Sequence, residues 1–192
     1  MPVKLRGMLK RAGAARTDPF WTDFIHTPPI DPRNLVTEAF KGASEDAVNP
    51  VRAEIHSPNV MAQHIKELGR FWGADQVGIV RLTATRESEL PFGILAVVKA
   101  EYDPRQATGI GGQTPAMKGL FATFCVAAYI RELGYQARRS GDNGDRLAAI
   151  AGLGALDREG HLVSRAFGRK AYVAEVIRTE LPLEPDGLDD GQ

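Results

Sequence analysis

The chain has 192 residues, with 24 Lys+Arg balanced by 24 Asp+Glu, 43% hydrophobic residues and 25% charged residues. That length suits one domain with a real core, and the composition excludes whole-chain disorder and a general basic field for nucleic acid or an anionic membrane. A single cysteine, Cys125, excludes an intrachain disulfide and any cysteine-rich zinc or iron–sulfur site within this chain.

The longest apolar stretch, Phe121 to Ile130, is too short to span a bilayer, so no transmembrane helix is expected. The start is basic (Lys4, Arg6, Lys10, Arg11, Arg16) with no apolar signal core behind it, which makes a cytoplasmic protein the simplest expectation.

Residues 1–56 read as an irregular arm. Prolines punctuate it (Pro2, Pro19, Pro28, Pro29, Pro32, Pro50), and its aromatic residues Phe20, Trp21, Phe24 and Phe40 have no periodic surroundings. A disordered leader over residues 1–17 and one short helix near Asp31–Phe40 are the expectations there. Regular structure begins at Ser57-Pro58, an N-cap followed by a first-turn proline. Met61, Ile65 and Leu68 then recur at helical spacing through Gly69. Gln76–Leu82 and Phe92–Ala100 are β-branched, apolar runs that predict strands, with a turn at Arg86–Glu89.

Asp103–Gln113 is glycine-rich and reads as a flexible loop. Thr114-Pro115 then caps a helix from Ala116 to Leu133, apolar almost all round and stopped by Gly134. A short strand at Tyr135–Arg139, a helical turn at Leu147–Ile150 and a final strand at Ala171–Ile177 complete the pattern. Residues 187–192 form an acidic tail. Helices and strands without regular βαβ alternation favour an α+β layered fold.

Chemistry is sparse in this sequence. The glycines Gly109, Gly111 and Gly112 precede a helix but lack the Lys-Ser/Thr ending of a phosphate loop. His26, His56, His64 and His161 show no metal-ligand spacing, and no nucleophile triad stands out, so no protein-held metal is expected. His161 differs from the others in lying inside a glycine-rich turn, where a plain surface role is the alternative. The most informative run is Gly141–Asp186. Ala151-Gly152-Leu153-Gly154, Gly160, Ser164 and Gly168 bring small residues together in a way that lets main chain line a large ligand, or simply makes tight turns.

This segment resembles the corrinoid-binding domain shared by reductive dehalogenases and epoxyqueuosine reductases. The matching pieces are IRELGYQA at 130–137, AGLG at 151–154, Gly160–Ser164, Phe167-Gly168 and TELPLEPD at 179–186. The likeness covers residues 57–186. It implies a nitroreductase-like α+β fold of three layers, with a central, mostly antiparallel sheet flanked by helices. It also implies a base-off cobalamin, with Asp142 and Asn143 at the pocket edge and Ala151, Gly152, Leu153 and Gly154 beside the cofactor. Ser164, Phe167 and Gly168 would line the channel for its nucleotide tail. The same broad fold serves flavin enzymes, so FMN stands as the alternative cofactor.

The departures from the family are specific. The chain has no cysteine after Cys125, so it carries no Fe–S relay of its own, and electrons would come from a separate transfer protein. The stretch Pro115–Gly119 (PAMKG) lacks both the Tyr of the dehalogenases and the Asp of the queuosine enzymes. Tyr172 stands where the family places an Arg. Tyr172 is the best substitute proton donor, ahead of Lys118 and Lys170, with an ordinary sheet tyrosine as the other reading. His161 is a further candidate for the cobalt face. The resemblance therefore implies a corrinoid-binding redox protein or subunit, with two alternatives: a non-catalytic cobalamin carrier, and a flavin-dependent oxidoreductase. A homodimer would be the default oligomer.

Overall fold

The computed structural model describes residues 19, 26, 39–43, 45, 47–83, 90–107, 109–141 and 143–186. The leader at 1–17, most of the helix expected near 31–40, the turn at 86–89, Asp142 and the tail at 187–192 lie outside the described residues.

The elements run α1 (Pro58–Phe71), β1 (Gln76–Arg81), β2 (Phe92–Lys99), α2 (Ile110–Glu132), β3 (Ala137–Ser140), α3 (Gly144–Ile150), β4 (Gly154–Leu156), β5 (Leu162–Ser164), β6 (Ala171–Val173) and β7 (Val176–Thr179). Helix α1 starts where the sequence places it. Ser57 is extended, and its hydroxyl accepts from the Val60 amide at 3.4 Å. Its inward stripe of Ala62, Ile65 and Gly69 is buried.

The main sheet has the order β1-β2-β7-β3, with β6 also on β2, and every described pairing in it is antiparallel. Strand β2 is buried on both faces, which is why it reads as an unbroken apolar run. Phe92, Ile94 and Ala96 join a core with Ala62 and Ile65 of α1 and Val126 and Ile130 of α2. Leu95 and Val97 join a second core with Ala148 of α3, Ala151 and Leu162 of β5. The fold is thus α+β in three layers: α1 and α2, the antiparallel sheet, then α3 with the β4–β5 hairpin. No described helix is long and apolar enough to cross a membrane.

Two straps close the ends of this sandwich. Residues 49–53 lie along the end of α2, where the Asn49 and Ala53 amides donate to Arg131 O and Leu133 O at 3.0 and 2.9 Å. They satisfy carbonyls that a helix C-terminus leaves orphaned. Phe40 packs edge-on against Phe121 and Phe124 of α2, with centroids 5.6 and 5.1 Å away. At the other end, the TELPLEPD run crosses α1 to the free edge of β1. There the Asp186 amide donates to Ile79 O at 2.7 Å, its carboxylate accepts from Ile79 N at 2.9 Å, and it pairs with Lys66. That motif is legible as architecture: it covers an exposed strand edge.

Three local expectations are corrected. Helix α2 begins at Ile110, more than a turn before Ala116, so Pro115 lies inside it and the glycine run is helical. Gly112 fits because a Cβ there would stand 2.1 Å from Ala107 O, on the preceding loop. The final strand is two strands. Val97 pairs with Val173 and Ile94 with Ile177, so two intervening residues of β2 face three (Ala174, Glu175, Val176). This β-bulge switches which side chains face α2: Tyr172 and Ala174 before it, Ile177 after it. Finally, the run of supposed turns after AGLG contains the β4–β5 hairpin, paired Gly154↔Ser164 to Leu156↔Leu162.

Candidate functional site

The residues singled out by sequence gather on and around the α3–hairpin layer. Ala151–Gly154 is the exit of α3: the Gly152 and Leu153 amides donate to Ala149 O and Ala148 O, both at 3.0 Å. Gly152 takes φ +74°, the left-handed C-terminal cap that glycine adopts at little cost. The N–H groups of Gly152 and Leu153 are therefore occupied, and the segment offers a ligand its exposed Cα surface at Gly152 rather than free donors. Gly154 enters β4.

Ser164, Phe167 and Gly168 form one closed turn. Ser164 N and Gly168 N exchange bonds with each other's carbonyl at 3.0 and 2.9 Å. The buried Ser164 hydroxyl accepts from Ala166 N and Phe167 N and donates to Gln76 at 3.1 Å. The Arg165 amide bonds Leu153 O at 3.1 Å, which stitches this turn to AGLG. Asn143 caps α3 in the left-handed region, at φ 57°, an uncommon conformation for a non-glycine residue.

His161 and Tyr172 meet in one cleft of about 190 Å³, lined also by Pro104, Arg105, Asp145, Ala171 and Val173. Asp145 is a residue that sequence reading missed: it lies in the first turn of α3, which begins at Gly144, before the helical turn expected at Leu147–Ile150. Its carboxylate accepts from Leu162 N at 2.7 Å, joining α3 to the hairpin and setting one wall. Arg105 was hidden in a stretch expected to be a flexible loop. The other candidate donors are elsewhere on the surface: Lys118 and Lys170 are exposed.

Tyr172 packs against α2, its ring 3.4 Å from where a Cβ on Gly119 would stand. No hydrogen bond among the described residues reaches its hydroxyl. Burial first, then the Glu175 and Asp145 carboxylates, push its phenol above the ordinary tyrosine value. A folded-state pKa raised above the unfolded value means that the stabilisation is intact below pH about 10 and is lost as pH rises through the folded value. Tyr172→Phe is expected to flatten that alkaline loss and to remove the late-titrating tyrosinate from an ultraviolet titration. An unchanged titration curve would show that the group is not Tyr172.

No protein-family model and no curated protein matches the chain. Among solved structures, 23 chains resemble it. The catabolic reductive dehalogenase NpRdhA superposes with a TM-score of 0.67 at 21% identity, over 83% of this chain and 27% of the dehalogenase. The same enzyme with 3-bromo-4-hydroxybenzoic acid gives 0.67 at 21% identity, over 82% and 27%. A reductive dehalogenase described for B12-dependent dehalogenation gives 0.68 at 21% identity, over 83% and 27%. These likenesses show the fold, and the chain spans about a quarter of those enzymes' length.

Proposed function

We propose that this protein binds a corrinoid on the α3–hairpin side of its sheet and serves redox chemistry fed by a separate electron-transfer protein. The observation that carries the reading is the superposition on a reductive dehalogenase described for B12-dependent dehalogenation across most of the chain, with AGLG, Gly160–Ser164 and Phe167-Gly168 falling in one layer. The residues fit such a group. Gly152, Gly160 and Gly168 have positive φ and nothing within 4 Å of an added Cβ, which leaves open space against bare main chain. Among the described residues no three His, Cys, Asp or Glu side chains form a metal site. A metal held here would come in its own chelate, as it does in a corrin.

When bound, the corrinoid would supply a cobalt centre of accessible low oxidation state. The chain's own part is binding and proton handling. Ala151–Gly154 and the turn at 164–168 present a rigid, internally satisfied surface, so docking costs little ordering. Tyr172 is the proton-holding group: burial first, then the Glu175 and Asp145 carboxylates, keeps its phenol protonated at the cleft. His161 lines the same cleft.

Gly152→Trp puts a large side chain into the open space beside AGLG and is expected to abolish cobalamin retention. Gly152→Asn, which tolerates the left-handed cap, is the folding control. Equal retention by both variants would remove this surface from the pocket. A carrier role is the second reading, favoured by the PAMKG segment, which contains no acid and whose Lys118 is exposed. Transfer of bound cobalamin to an acceptor, without turnover under strong reductant, would select it.

A further inference from the structure

We infer that the segment Asp103–Ala107, between β2 and α2, is a lid over the Tyr172–His161 cleft, latched shut by a charge network of Asp103, Arg105, Asp157 and Arg169. The inference takes the cleft as the functional site proposed above, but the latch stands on its own contacts. Arg105 Nε pairs with Asp103 at 2.8 Å, its Nη1 with Asp157 at 3.3 Å, and its Nη2 donates to Arg169 O at 3.0 Å. Arg169 closes the circuit, with Nε 3.2 Å from Asp103 and Nη1 3.3 Å from Asp157. The Asp157 carboxylate also accepts the Glu159 and His161 amides, both at 3.0 Å.

Three segments meet here: the lid, the β4–β5 turn and the turn after β5. The Arg105 guanidinium spans from one wall of the cleft, formed by Pro104 and Arg105, to the hairpin that carries His161. The lid is a rigid unit, because the Gln106 and Ala107 amides both donate to Asp103 O at 3.0 Å. Its far end is seated on the first turn of α2 through Ala107 O, beside Gly112. The Pro104–Arg105 end is the one that the latch ties to the hairpin and to the turn after β5.

Two cations against two carboxylates give a neutral, multiply bonded set. Arg105, Asp103 and Asp157 are 21%, 13% and 14% exposed at the side chain and Arg169 is 51% exposed. That partial exposure makes the set strong enough to close and open enough for salt to loosen it. Closed, the cleft holds about 190 Å³, below the roughly 300–1,000 Å³ of ordinary small-ligand sites. A macrocycle or a substrate beside it needs the lid raised.

The test is carbethoxylation of His161 by diethyl pyrocarbonate, read by mass spectrometry against exposed His56 in the same molecule. Arg105→Met, which keeps the stem and removes the charge, is expected to raise the His161:His56 labelling ratio about threefold or more. In the wild type, salt of about 0.5 M should raise the ratio in the same direction by screening the pairs. An unchanged ratio in folded Arg105→Met overturns the latch. If that variant does not fold, Asp103→Asn is read in its place by the same criterion. Failure of the corrinoid reading shows separately, as no cobalamin retained by wild type or variant, and does not alter the labelling ratio.

Discussion

Gly134→Ala is expected to cost about 3–4 kcal/mol and roughly 10 °C in Tm. Gly134 follows α2 with φ +83°, and an added Cβ would stand 2.6 Å from both Arg52 Cα and Val51 O. Those are backbone atoms of the strap that satisfies the α2 carbonyls, so neither can swing aside. Gly152→Ala is the matched comparison: its φ is +74°, with nothing within 4 Å. It should lose only the conformational part, about 1–2 kcal/mol. Thermal unfolding of the pair separates the two contributions, and equal losses would mean that residues 49–53 do not hold α2.

Asp186→Ala is expected to cost about 2–4 kcal/mol in urea unfolding. The carboxylate serves two groups at once, the Ile79 amide at the edge of β1 and the ammonium of Lys66. Lys66 has a side chain only 10% exposed, so truncation leaves a nearly buried cation without its partner. Asp186→Asn keeps an oxygen for Ile79 and loses only the charge, so it should fall about midway. A loss below about 0.5 kcal/mol for the alanine variant would show that the C-terminal strap is not what secures this edge.

These two residues also show how legible the fold was. Ser57-Pro58, the apolar run of β2 and the helical glycine stop at 134 each carry a strong local signal, and each element formed where that signal lies. What local signals missed depends on contacts distant in sequence. Gly111 and Gly112 read as loop residues because glycine opposes helix formation, yet at Gly112 the close approach of Ala107 O makes glycine the residue that fits. The bulge at Ala174–Val176 has no sequence mark, because its cause is a one-residue mismatch against β2. The hairpin β4–β5 was masked by strands of three residues each, too short to show alternation.

The site was legible in its parts and not in its assembly. AGLG, His161 and Tyr172 were found by motif and residue type, and the structure brings His161 and Tyr172 into one cleft. AGLG turned out to be a helix cap, with its amides used internally. Asp145 and Arg105 went unnoticed because their roles come from partners 17 and 52 residues away, Leu162 and Asp157. Charged residues on a loop or a first turn are common, and only the fold distinguishes those that bridge two walls of a cleft.

The corrinoid reading is tested most directly by mixing the protein with cobalamin under anaerobic conditions, desalting, and recording the absorption spectrum with the cobalt content. One cobalt per chain with a base-off spectrum is the expected result. A desalted protein free of cobalt, or one that retains a flavin spectrum instead, would contradict it.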